Sequence, residues 1–204
     1  MTSDSTMPTP LHGLVLAGGR GSRLQRDKGE LNYHGMPQAQ WAFELLAGFC
    51  GPRFVSIRAD QAGAGSYQGL PLITDGGESA GPVSGLRTAM RRLPSAAWLV
   101  IAADMPLLHS ALLARLVEVR DATALATAWR HADGTPEPLC AIWEPAALAS
   151  LEAGAASLRR LLEAGPAKLV EIGDDEALSS VNTPADDARI RLCLARARAK
   201  DHVM

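Results

Sequence analysis

Short apolar runs that stop abruptly alternate along this chain with longer segments that open on proline or serine. Leu14-Val15-Leu16 ends at Ala17-Gly18-Gly19, the mark of a buried strand leaving a sheet. Phe54-Val55-Ser56-Ile57 reads as a second strand and Leu72-Ile73-Thr74 as a short third one, with Gly63–Ser66 between them as a surface loop. Trp98–Ala102 is wholly apolar, which predicts a central strand, and it closes at Asp104. Further strands are expected near Thr123–Trp129 and Leu139–Trp143. Pro37 is placed to open a helix to about Phe49, and Gly81-Pro82 precedes one to Leu93. Ser110 is a candidate cap for a helix to about Arg120. Helices are also expected over Ala146–Glu152, Ser157–Ala164 and Pro184–Ala199. Strands alternating with helices imply a mostly parallel sheet covered on both faces, a three-layer doubly wound α/β fold.

Composition narrows the picture without redirecting it. The chain has 204 residues, of which 47% are hydrophobic, enough for one core; Met1 to Pro10 is polar and reads as a disordered lead-in to a single domain over 11–204. Aromatics are only 4%, so the core must be built from Leu, Val, Ile and Ala. A formal net charge of −2 gives no general attraction to nucleic acid or to a membrane surface, so any phosphate binding must come from local placement of charge. No stretch approaches the ~20 apolar residues of a membrane span. Cys50, Cys140 and Cys193 are far apart and form no paired motif, which fits a reducing, cytoplasmic setting. The five histidines show no metal-ligand spacing.

In doubly wound sheets, ligands bind beyond the carboxyl ends of the strands. The first loop there runs Leu16-Ala17-Gly18-Gly19-Arg20-Gly21-Ser22-Arg23-Leu24-Gln25-Arg26-Asp27-Lys28. Small residues let backbone N–H groups approach an anion closely, and Arg20, Arg23, Arg26 and Lys28 add charge. Two familiar phosphate motifs fail on spacing. A dinucleotide fingerprint would need glycine where Leu24 stands, and no P-loop run exists. Asp104 is placed at the carboxyl end of the central strand, where a carboxylate suits Mg²⁺ with waters and phosphate oxygens as its other ligands. Asp75-Gly76-Gly77 reads locally as a turn, and Thr183-Pro184 as a helix start.

The whole loop is more specific than its parts. LAGG followed by Arg23 and by Asp27-Lys28 resembles the nucleotide-binding signature of the molybdenum cofactor guanylyltransferase family and its sugar-nucleotide relatives. The resemblance runs from about Leu11 to Asn182 and implies a nucleotide-diphospho-sugar-transferase-like fold. It implies that Leu16, Ala17, Gly18, Gly19 and Lys28 hold the triphosphate and that Arg23 assists at the phosphates. The family usually carries Met-Gly where this chain has Leu24-Gln25. Ala103–Leu108 matches the family's metal motif, so Asp104 is implied to bind Mg²⁺ and to be catalytic with Arg23 and Lys28. Asp75 and Gly81-Pro82-Val83-Ser84-Gly85 match the family's aspartate and glycine-proline segment, which implies nucleotide contacts for Asp75 and Gly81 and a helix start close to the ligand. Arg58 falls where guanylyltransferases often carry an asparagine near the nucleotide. Asn182-Thr183-Pro184 matches a late motif whose asparagine lies near metal and acceptor, although Ser180 replaces a second asparagine. Glu137–Trp143 resembles a segment on the acceptor side, and Cys140 within it reads as a buried small hydrophobe. The basic run Arg189–Arg198 reads as a solvated helix face, open to an anionic partner.

The reaction so implied is transfer of GMP from GTP to the terminal phosphate of molybdopterin or the molybdenum cofactor, with release of pyrophosphate. Gly18-Gly19 points to guanine, since the related cytidylyltransferases usually show LAAG. Two alternatives stay open. One is a cytidylyl- or sugar-1-phosphate nucleotidyltransferase. The other is a catalytically silent GTP-binding partner of molybdoenzymes or their chaperones, motivated by Leu24-Gln25 and Ser180.

Overall fold

In a computed structural model of the chain, residues 9–19, 27–74 and 81–201 are described. Seven strands form one sheet: β1 (Leu11–Leu16), β2 (Arg53–Ile57), β3 (Leu72–Thr74), β4 (Ala97–Ala102), β5 (Ala126–Arg130), β6 (Pro136–Trp143) and β7 (Lys168–Glu171). Among the described residues six α-helices accompany them: α1 (Gln38–Leu45), α2 (Pro82–Arg92), α3 (Ser110–Glu118), α4 (Ala147–Glu152), α5 (Leu158–Ala164) and α6 (Pro184–Asp201). Spatial order is β3-β2-β1-β4-β6-β5-β7. β1 pairs in parallel with β2 and with β4, and β2 with β3, whereas β6 runs antiparallel to both β4 and β5.

Alternation along the strands divides the core in two. On β4, Ala97, Leu99 and Ile101 face the cluster shared with Ala39, Ala42 and Phe43 of α1 and with Leu113 and Leu116 of α3. Trp98 and Val100 face the other side, among Leu86 and Met90 of α2, Leu151 of α4 and Leu158 and Leu162 of α5. Helices therefore cover both faces, and the expected three-layer fold is present. β4 is buried along its whole length, as its apolar run required.

Several boundaries differ from the sequence expectation for physical reasons. Pro37 is the residue before α1, and its carbonyl accepts from Trp41 N–H; a 3-10 turn over Leu46–Gly48 completes the helix. His109, not Ser110, occupies the cap of α3, with no side-chain cap bond. Gly63–Ser66 is not a plain surface loop: Gly65–Tyr67 makes a 3-10 turn that buries Ser66 and Tyr67. β5 begins at Ala126 because Asp121 turns the preceding chain, accepting from Thr123 N–H and Oγ1–H. β7 was not expected; it is a four-residue edge strand with both ends exposed. The helix α6 begins where Thr183 Oγ1 accepts from Asp186 N–H at 3.2 Å, with Pro184 in its first turn as expected. Its basic stretch is only partly a solvated face. Arg191 lies over the Tyr33 ring at 4.7 Å and Arg198 donates to the Tyr33 carbonyl, so two arginines dock the helix.

Candidate active site

Strand order reverses at β1 and β4, so the crevice beyond their carboxyl ends is the topological switch point. There Ala103 N–H donates to the Leu16 carbonyl at 3.0 Å, which sets the chain after β1 beside the chain after β4. A cleft opens at this place, lined by Leu16, Ala17, Gly18, Gly19, Lys28, Gly81 and Asp104, all seven of them positions singled out in the sequence. Ser56, Pro82, Ala102, Ala103 and Leu139 complete its walls. Leu139 reaches it because β6 lies antiparallel against β4, and it belongs to the segment expected on the acceptor side.

Two cleft side chains, Lys28 and Asp104, meet each other, and Lys28 also meets Asn182. Lys28 Nζ lies 2.7 Å from Asp104 Oδ2 and 2.6 Å from Asn182 Oδ1. They come from segments 76 and 154 residues apart. Val181 N–H donates to the Asp104 carbonyl at 2.9 Å, which seats Asn182 next to the strand end. Asp186 then holds that turn by accepting from the N–H groups of Asn182 and Thr183 at 3.0 and 2.8 Å. These bonds hold the Asp186 carboxyl below its ordinary value, the Thr183 hydroxyl contributing most. The second Asp104 oxygen, Oδ1, is buried and finds no hydrogen-bond partner among the described residues. Such an atom is costly unless a ligand meets it.

The donor set suits a hard divalent cation: one carboxylate with a free, buried oxygen and one amide oxygen beside it. Among the described residues no three His, Cys, Asp or Glu side chains converge. A cation held by Asp104 and Asn182 would leave coordination positions open to waters and phosphate oxygens.

The backbone of the first loop is oriented by Ser56, Arg58 and Gln61, of which the sequence singled out only Arg58. Ala17 N–H is used by the Ser56 carbonyl at 2.9 Å, so it is not available to an anion. The Ala17 carbonyl accepts from Gln61 Nε2 at 3.2 Å, and the Gly18 carbonyl accepts from an Arg58 guanidinium nitrogen at 2.7 Å. Among the described residues, neither Gly18 N–H nor Gly19 N–H has a partner. Arg58, carried above as a nucleotide position, also pairs with Asp60 through two nitrogens at 2.9 and 3.2 Å. Asp27, the residue before Lys28, accepts from Gln61 Nε2, Tyr67 Oη–H and Gly29 N–H at 2.6, 2.8 and 2.9 Å. Burial, and then this bond to Asp27, raise the Tyr67 phenol well above its ordinary range, so it stays a donor.

Two glycines of the candidate segment have distinct reasons. Gly81 precedes α2 at φ +136°, where a β-carbon is strained. Gly85 lets the start of α2 approach two residues of the cleft wall, Leu16 and Ser56. A β-carbon there would stand 2.5 Å from Ser56 Oγ and 2.8 Å from Leu16 Cδ2, so it lets α2 lie on β1 and β2. Cys140 is fully buried and burial pushes its thiol far up, in keeping with a packing role. Arg23 and Asp75 lie outside the described residues, as do Arg20, Leu24, Gln25 and Arg26.

Comparison with known proteins decides the family. Residues 13–171 match the family described as the MobA-like NTP transferase domain. The chain belongs to this nucleotidyltransferase family. It is 32% identical over 188 residues to a molybdenum cofactor guanylyltransferase of Bordetella petrii, covering 87% of this chain and 95% of that protein. It is 34% identical over 187 residues to a molybdenum cofactor biosynthesis bifunctional protein of Synechocystis sp., covering 89% of this chain. The match spans only 54% of that bifunctional protein's length. Among solved structures it resembles molybdopterin-guanine dinucleotide biosynthesis protein A of Archaeoglobus fulgidus, with a TM-score of 0.76 at 24% identity over 91% of this chain and 99% of that one. At that identity the likeness concerns the fold, and it agrees with the three-layer α/β architecture described above. None of the helices among the described residues is long and apolar enough to cross a membrane.

Proposed function

We propose that this chain transfers GMP from GTP to the terminal phosphate of molybdopterin or the molybdenum cofactor and releases pyrophosphate. The observation that carries the reading is the meeting of Lys28, Asp104 and Asn182 at the switch-point cleft, beside the N–H groups of Gly18 and Gly19, which have no partner among the described residues. The resemblance to guanylyltransferases supplies the donor base and the acceptor. The three cysteines, free among the described residues, support a reducing cytoplasmic setting.

In this reaction an acceptor phosphate oxygen forms a bond to the α-phosphorus, and the bond from that phosphorus to the β-bridging oxygen breaks. The electron pair leaves with pyrophosphate. The nucleophile is already anionic at neutral pH, so no protein base is needed and the work reduces to positioning and charge neutralisation. Gly18 and Gly19 amides bind the triphosphate oxygens. Lys28 neutralises phosphate charge, a role shared with Arg23. Asp104 and Asn182 would hold Mg²⁺, which when bound screens the triphosphate and favours the departing pyrophosphate. Gly81 brings the start of α2 against the nucleotide, with Asp75 as a further nucleotide contact. Leu139 and its strand face the acceptor.

The test is pyrophosphate release from GTP and from CTP with Mg²⁺ and freshly prepared molybdenum cofactor. GTP is expected to react and CTP not. Asp104→Asn should lower turnover by on the order of 10²–10³. Release with CTP alone would transfer the reading to a cytidylyltransferase, and near-normal turnover of Asp104→Asn across Mg²⁺ concentrations would remove the metal assignment.

A further inference from the structure

Gln61 is a buried polar residue outside every motif of the chain, and its side chain touches four groups that belong to the candidate nucleotide loop or brace it. Its Oε1 accepts from Arg58 N–H at 2.9 Å. Its Nε2 lies 2.6 Å from Asp27 Oδ2, 3.2 Å from the Ala17 carbonyl and 3.3 Å from Tyr67 Oη. Ala17 is where the chain leaves β1, and Asp27 is where it returns next to Lys28. One side-chain amide therefore joins both ends of the loop.

The geometry of the peptide bond gives this contact a consequence. In a trans peptide the C=O and the following N–H point in opposite directions. With the Ala17 carbonyl turned onto Gln61, Gly18 N–H points away from Gln61. With the Gly18 carbonyl turned onto Arg58, Gly19 N–H points away from Arg58. Arg58 is itself tied to Gln61 through its backbone. Both glycines line the cleft, and neither N–H has a partner among the described residues. Gly29 shows how tightly the second anchor is built: a β-carbon there would stand 2.4 Å from Tyr67 Oη.

We propose that Gln61 is a positioning residue for nucleotide binding. It fixes the Ala17–Gly18 peptide plane so that the Gly18 amide faces the triphosphate, and through Asp27 it sets the place of Lys28. Arg58 does the same for the next peptide plane, so its contribution runs through the Gly18 carbonyl. The inference rests on the reading of Gly18, Gly19 and Lys28 as triphosphate ligands.

Equilibrium titration with a fluorescent GTP analogue and Mg²⁺, alongside Tm, tests it. Wild type must bind; if it does not, the proposed function fails first. Gln61→Met fills the same space without donors and should weaken binding by about ten- to a hundredfold, the usual cost of misplacing a preorganised group. Tyr67→Phe, which keeps the buried ring and removes only the hydroxyl on Asp27, should weaken binding in the same sense by a smaller factor. Gln61→Glu places a second carboxylate against Asp27, and the pair can take up one proton. Its deficit relative to wild type should therefore shrink as pH falls from about 8 to about 5.5. A side chain that only fills space would show no such recovery. Wild-type affinity in Gln61→Met and Tyr67→Phe, with Tm alone reduced, would overturn the proposal. So would a pH-independent deficit in Gln61→Glu.

Discussion

At the scale of single residues, Lys28 carries the most chemistry. An ammonium has three donors, and here two are committed, to Asp104 and Asn182. Lys28 thus neutralises the carboxylate that would hold a metal, and a cation entering alone competes with it. Lys28→Met should accordingly act in two directions. Nucleotide affinity and turnover should fall, turnover by on the order of 10²–10³. Affinity for Mn²⁺ without nucleotide, followed by electron paramagnetic resonance, should rise because Asp104 and Asn182 are released. Unchanged Mn²⁺ affinity would mean that Asp104 is not the metal's carboxylate. Lys28 and Asp104 were legible in the sequence because each sits at a strand-end motif with its chemistry displayed. Gln61 was not. Its partners Ala17 and Asp27 are 44 and 34 residues away, and Ala-Asp-Gln-Ala offers no local pattern to mark it. Tyr67 was hidden for the same reason, directly after the Gly63–Ser66 stretch that reads as a surface loop.

At the scale of elements, apolar runs were read well where burial is complete and poorly where it is not. β4, buried at every position, is found where its run of apolar residues placed it. β7 has intermediate burial at two positions and exposed ends, so no run or alternation announced it. The direction of β6 was also not legible, because it depends on the turn around Gly134 at φ +87° that folds β6 back on β5. The contact of α2 with β1 and β2 gives an element-scale prediction. Alanine is preferred to glycine inside a helix by about 1 kcal/mol. At position 85 the new β-carbon would meet Ser56 Oγ at 2.5 Å and Leu16 Cδ2 at 2.8 Å, both on strands that define the cleft. Overpacking of this kind costs roughly 1–3 kcal/mol, which outweighs the propensity gain. Gly85→Ala should therefore lower Tm by several degrees in calorimetry and weaken nucleotide binding, since the Ser56 carbonyl anchors Ala17. Gly48→Ala, which meets nothing within 4 Å, should leave Tm unchanged or slightly raised. Equal Tm for both variants would show that α2 can shift without cost.

At the scale of the whole molecule, the site joins three distant segments, so whatever loosens the fold loosens the site. Acid is the agent most readily argued. His12 on β1 meets the edge of Trp98 at 5.4 Å, and its Nδ1 is buried with no hydrogen-bond partner among the described residues. His34 stacks on Trp41 at 4.1 Å, and its Nε2 lies 2.9 Å from the Pro106 carbonyl, tying the segment before α1 to the one after β4. Burial lowers both histidines below their usual 6.5, in His34 against the opposing pull of the Pro106 carbonyl. A depressed histidine means that the unfolded chain takes up its proton first. The stability it contributes is therefore present above about pH 6.5 and is lost as pH falls toward the folded value. Depressed carboxylates such as Asp186, which caps α6, act in the same direction but only below their ordinary 3.8. Two separate windows follow. Tm should be level from about pH 8 to 7, decline as pH falls below about 6.5, and fall again in the carboxylate range. In a double variant, His12→Phe with His34→Phe, the rings keep their aromatic contacts and cannot charge. Its Tm at pH 8 should be no higher than wild type, since the Pro106 bond is lost, yet the first window should vanish while the second remains. A first window of unchanged depth would assign the acid sensitivity to groups other than these two rings.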